Sequence, residues 1–196
     1  MIGNWELYGM SQAELFYVLA DAHLEAAIVL ANALRDGGYA QVFSHAKVIM
    51  SLHHHAVELF LKYALSRSGQ NPPTHHHIRD LAWRYSIAYS DPELHFDPPF
   101  VTAFMGFTPA RVHDALTEEY DSKNRNRTDQ EMRYHTDREG NVWPGAQGVI
   151  PDTYAQDLVE FREQLGCLHE RIEKRIANQP LHGTARRRAD AAPSVP

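Results

Sequence analysis

The sequence predicts an all-α protein, an antiparallel bundle of four to five helices with a long loop or small β-hairpin before the last one. Three observations point there. Apolar residues recur three or four positions apart in several separate segments, the period of one helix face. Capping residues, glycines and prolines stand at the ends of those segments. No alternating strand pattern runs between them, so helices must pack on helices.

The first helix is expected to begin at Ser11, because Ser11-x-x-Glu14 has the form of a capping box. Leu15, Leu19, Ala22, Ala26, Leu30 and Leu34 then give one apolar stripe, and Gly37-Gly38 supplies the stop. A second helix runs from about Gln41 to Ser68, with an inward stripe of Ala46, Ile49, Met50, Val57, Phe60, Leu61 and Ala64 that only His53 interrupts. A histidine there reads as a hydrogen-bonded core residue. The turn chemistry of Ser68 to Pro73 breaks the helix, and Thr74 is placed to cap a third, carrying Ile78, Leu81, Ala82 and Tyr85.

From Asp91 onward, Pro92, Pro98, Pro99 and Pro109 forbid one continuous helix. Phe100, Phe104 and Phe107 are expected to pack as a short apolar turn, and Thr108-Pro109 to open a modest helix through Val112, Leu116 and Tyr120. Asp121 to Asp152 is a long polar stretch. Within it, Met132 to His135 and Asn141 to Trp143 form a candidate hairpin around Asp137 to Gly140. A loop of this length without structure of its own is usually functional or mobile. Thr153-x-x-Gln156 offers a second capping box for the last helix, whose seam is Tyr154, Leu158, Phe161, Leu165, Leu168 and Ile172. Residues 1–178 read as one bundle domain and residues 179–196, with Arg186-Arg187-Arg188, as a flexible tail.

Composition narrows the class of protein. Hydrophobic residues make up 43% and charged residues 22%, the balance of a globular chain. No apolar run reaches the ~18 residues of a membrane span, and no basic patch followed by an apolar core opens the chain. Cys167 stands alone, which excludes an internal disulfide and a cysteine-based zinc cage; a reducing cytoplasm is the expected location. The formal net charge of −6 argues against broad binding to duplex DNA, which needs a basic face.

The second helix and its continuation carry more than periodicity. Ala56-x-Glu58-x-x-x-Lys62, a turn, then histidine and Asp80-Leu81 ahead of a third helix resembles the HEPN superfamily of nucleotide-binding helical domains. The later Arg133-Tyr134-His135 segment with its hairpin is similar to a feature of some HEPN-like proteins. The resemblance implies a four- or five-helix bundle that often dimerises and uses no cofactor. It implies one of two activities. Some members are binding or docking modules beside nucleotidyltransferases, which makes RNA, a nucleotide or such a protein the expected partner. Others are metal-independent ribonucleases, some toxin-like, using an arginine and a histidine separated by four to six residues.

Arg162 and His169 match that spacing with six residues between them, although Glu163 stands where the family commonly has Asn, Asp or His. Arg175 and His182 match as well, but Pro180 ends the helix between them. In such a pair, arginine stabilises the charged phosphorane and histidine positions or transfers a proton near neutral pH. The leading expectation is a nucleotide- or RNA-binding or docking module without catalysis; the alternative is a ribonuclease using Arg162 and His169.

Other residues invite their own readings. Glu58 and Lys62, one turn apart, pair as a surface salt bridge, or Glu58 holds the long loop through Arg133. Arg125, Arg127, Arg133 and His135 form a basic, histidine-bearing loop suited to phosphate. The 13 histidines raise a second alternative, a metal-dependent helical-bundle enzyme. His54 and Glu58 at i and i+4 would chelate, with His23, His113 or His135 completing a set. No ordered metal signature accompanies them, and no metal is assigned.

Overall fold

The computed structural model describes residues 3–100 and 149–178. A short 3-10 helix, Trp5–Leu7, leads into α1 (Gln12–Arg35), α2 (Phe43–Arg67) and α3 (Ile78–Ala88). A second 3-10 turn, Pro92–Leu94, follows, and α4 (Pro151–Ala177) closes the bundle. Among the described residues there is no strand. The expected helix from Pro109, the hairpin of residues 132–143, Phe104, Phe107 and the tail of residues 179–196 lie outside the described residues.

α1 starts as its sequence dictates. Ser11 Oγ accepts from the Glu14 backbone N–H at 3.3 Å, and Glu14 Oε2 accepts from the Ser11 N–H at 2.6 Å, a complete capping box. At the far end Gly37 takes a φ of 77°, the left-handed conformation that lets the chain turn away. The buried face is not the expected one. Ala13, Ala20, Leu24, Ala27, Ala31 and Leu34 enter the core, whereas Leu19, Ala22 and Ala26 are exposed. Both stripes have helical spacing, so periodicity does not choose between them. The inward stripe is richer in alanine, and small side chains at a contact allow close helix approach.

α2 is the central helix. Every residue from Ala56 to Leu65 is buried, because α1, α3 and α4 all pack against it. A helix apolar on most sides belongs in such a position, and each fully buried Leu or Phe there contributes about 1.5–3 kcal/mol. His53 is a core residue as expected, its Nδ1 sharing a hydrogen bond of 3.2 Å with the Tyr154 hydroxyl. Burial holds its pKa down at about 3. Phe100, at φ 68°, is packed edge-on against the rings of His53 and His54.

Contacts along the helices set their directions. Glu14, in the first turn of α1, shares a cavity with Arg67 in the last turn of α2, so the two helices are antiparallel. α4 meets α2 at Tyr154–His53 near its start and at Glu173–Tyr63 near its end, and therefore runs parallel to it. α3 has His77 at its N-cap, with no side-chain bond, rather than Thr74. α4 begins with Pro151 in its first turn, so Thr153 lies inside the helix and forms no capping box. Proline's fixed φ pre-organises a first turn without a side-chain cap.

Candidate functional site

Two polar clusters sit against α2. The first centres on Glu58, which is 1% exposed. Its Oε1 accepts from Lys62 Nζ at 2.9 Å and from His76 Nδ1 at 2.8 Å, and its Oε2 lies 3.3 Å from His55 Nδ1. His76 reaches it because the segment after α2 folds back along that helix. Burial alone raises the Glu58 pKa, but the hydrogen bonds from His55, Lys62 and His76 outweigh it and hold the carboxyl at about 2. The Glu58–Lys62 pair therefore forms as the spacing implies, but it is buried; Lys62 is only 6% exposed. The reason is the position of α2, which leaves neither side chain a route to solvent. Arg133, the other expected partner of Glu58, lies outside the described residues.

The second cluster lies where α1, α2 and α4 converge, around a cavity of about 390 Å³. The ring of His169 (α4) stacks on Tyr17 (α1), with centroids 3.7 Å apart and planes within 10°. Its Nδ1 is 2.7 Å from the hydroxyl of Tyr63 (α2). The Tyr63 hydroxyl donates to Glu173 Oε1 at 2.8 Å, and Arg67 binds the other oxygen of the same carboxylate. These bonds fix the tautomer. A carboxylate can only accept, so Tyr63 gives its proton to Glu173 and its oxygen accepts from His169 Nδ1–H. The lone pair of His169 then lies on Nε2, which bonds no described residue. Burial lowers the His169 pKa, which favours this neutral form.

Arg162 projects from the same face of α4 as His169, two turns earlier, and its guanidinium is committed elsewhere. Nε and Nη2 donate to the two oxygens of Asp21, each at 2.7 Å, and Nη2 also reaches Glu25 Oε2 at 3.3 Å. The hydrogen bonds it donates to Asp21 raise its pKa. The cation lining the His169 cavity is Arg67. The other expected binding residues, Arg125, Arg127, Arg133 and His135, lie outside the described residues. So does His113. His23 packs its ring edge against His55, and among the described residues no group of three or more His, Cys, Asp or Glu is arranged to hold a metal.

Tyr17, Tyr63, Arg67 and Glu173 were not singled out from the sequence. One signal was available: His169 and Glu173 are i and i+4 on α4, the spacing of side chains that share a helix face.

These features define an all-helical bundle domain with a polar, aromatic-walled cavity between three of its helices. The family model of the HEPN domain matches residues 20–98. The match takes in most of α1, all of α2 and α3, and the Glu58 cluster; it ends before α4. No curated protein and no solved structure matches the chain. The match to the HEPN model points to a nucleotide- or RNA-related role or to partner docking. Among the described residues no helix is long and apolar enough to cross a membrane.

Proposed function

We propose that this chain is a HEPN nucleotide- or RNA-binding module whose ligand enters the cavity between α1, α2 and α4. The observation that carries the reading is the Tyr17–His169 stack beside Tyr63 and Arg67. Aromatic walls with a few polar groups are what a nucleotide site requires, since a base offers flat faces and hydrogen-bonding edges. Arg162 gives Nε and Nη2 to Asp21 and Glu25, whose carboxylates offset its charge, which favours binding over cleavage by an Arg162–His169 pair.

A second reading, a metal-independent ribonuclease, is favoured by one feature. The Glu173–Tyr63–His169 chain orients an imidazole with its Nε2 acceptor unoccupied, the arrangement of a general base and its orienting groups. One experiment separates the two. Labelled single-stranded and structured RNAs are incubated with the protein in the presence of a chelator, wild type beside His169→Ala. Retention of intact RNA that weakens in the variant supports the binding module. Strand cleavage lost in the variant supports the ribonuclease. Neither retention nor cleavage by folded wild type removes both.

The reading extends to a cytoplasmic protein that forms a homodimer and docks on a partner such as a nucleotidyltransferase. Sedimentation of the purified chain tests the dimer, and a monomer at all concentrations would end that part.

A further inference from the structure

The cavity walled by Tyr17 and His169 has an unusual charge balance for a nucleotide site. Arg67 is the cation among its lining residues, and Glu173 already binds it. Glu14, in the first turn of α1, lines the same cavity and adds a second carboxylate. With His169 neutral, the lining carries more negative than positive charge. A phosphate placed there would meet two carboxylates and one cation that is already paired.

We propose that this cavity takes the base of a nucleotide or RNA strand rather than its phosphate, and that it selects a base bearing an exocyclic amine. The proposal rests on the nucleotide- or RNA-binding reading above and names what that site recognises.

The hydrogen-bonding inventory supplies the selectivity. His169 Nε2 is an acceptor, because Nδ1–H is given to Tyr63. The Glu14 carboxylate bonds the Ser11 N–H through Oε2 and keeps further lone pairs. An acceptor-rich wall rewards a base edge that offers N–H donors. Guanine, adenine and cytosine each carry an amine, whereas uracil offers one ring N–H between two carbonyls and no amine. A carbonyl facing these acceptors would gain no hydrogen bond from them, whereas an amine would. Guanine fits best, since its amine and ring N–H suit the acceptors while its neutral carbonyl needs only one N–H of Arg67 beyond the one given to Glu173. The faces of the ring are provided for as well: half-buried Tyr17 offers aromatic surface, and Met10 and Val18 complete an apolar lining.

The test uses the full chain with a chelator present and measures displacement of a fluorescently labelled, guanine-containing oligoribonucleotide. Competitors are guanosine, adenosine, cytidine, uridine, ribose 5-phosphate and inorganic phosphate. Guanosine is expected to compete at least about 10-fold better than uridine, the equivalent of one well-made hydrogen bond. Neither ribose 5-phosphate nor inorganic phosphate should compete. Guanosine affinity should change less than about 2-fold between low and physiological salt, since no counterions are released from a neutral base. His169→Phe preserves a ring beside Tyr17 but removes Nε2, and should erase the preference for guanosine over uridine. If that variant fails to fold, the nucleoside comparison on wild type decides alone. Equal competition by uridine and guanosine, competition by phosphate, or a preference unaltered in folded His169→Phe would overturn the base site while leaving RNA binding intact. Absence of binding by every nucleoside, nucleotide and RNA would overturn the binding reading itself.

Discussion

The Glu58 and His169 clusters both sit against α2 and both combine a carboxylate, a histidine and a cation, yet they differ in one respect. Around Glu58, one carboxylate gathers Lys62, His55 and His76 within 3.3 Å, and both of its oxygens are engaged. Around His169, the chain of bonds from Glu173 through Tyr63 ends at a ring nitrogen that no described residue satisfies. The first cluster is closed on itself and ties the segment after α2 back onto the helix. The second is open toward a cavity. Buried polarity that is saturated from within serves the fold; polarity left with spare bonding capacity beside a cavity is available to a ligand.

That contrast breaks if the closed cluster proves dispensable for stability. Glu58→Ala would leave the Lys62 ammonium buried without its counter-charge, and should cost about 3–5 kcal/mol in urea unfolding. His169→Ala removes a half-buried ring and one hydrogen bond, and should cost about 1–2 kcal/mol. Equal losses for the two variants would dissolve the distinction. Replacing both charged partners, Glu58→Leu with Lys62→Met, should recover much of the single-variant loss, because no unpaired charge then remains.

Acid sensitivity sharpens it. His53 is held neutral by burial at a pKa of about 3, against an ordinary value of 6.5. The unfolded chain therefore takes up this proton first, and stability present above pH 6.5 falls as the pH drops below it. Glu58, depressed from 4.5 to about 2, contributes stability that is complete above pH 4.5 and is lost as the pH falls toward 2. His53→Leu should flatten the upper part of the acid profile, and Glu58→Gln the lower part, in denaturant midpoints measured across pH. A Glu58→Gln profile parallel to wild type between pH 4.5 and 2 would refute the account of that carboxyl.

The smallest effect belongs to Arg162. Its pair with Asp21 is partly exposed, so Arg162→Ala should cost no more than about 1 kcal/mol. Ligand affinity should be unchanged if the Tyr17–His169 cavity is the site. A large loss of binding in a folded Arg162→Ala protein would return the site to the Arg162–His169 pair.

Much of the scaffold was legible before folding. The Ser11–Glu14 capping box, the stop at Gly37, the extent of α2 and the seam of α4 are set by residues a few positions apart, where backbone and side-chain chemistry act directly. The HEPN resemblance was legible too, because Glu58 and Lys62 lie within one helical turn. Legibility failed where two answers had the same local chemistry. α1 carries two apolar stripes, and the one containing Leu19, Ala22 and Ala26 is as periodic as the one that packs. Thr153 offers a capping box as good on paper as Pro151 offers a first turn.

What the sequence determined by itself, then, was the presence of α1 to α4, most of their ends and the HEPN resemblance. Those follow from short-range hydrogen bonding and from the 3.6-residue period. Tertiary structure alone decided which face of α1 turns inward, that Glu58 and Lys62 are enclosed rather than exposed, and that His169 meets Tyr17 and Tyr63 instead of Arg162. Tyr17, Tyr63 and His169 come from three different helices. Their meeting is settled by how those helices pack around α2, and packing is a property of the whole bundle that no local spacing records.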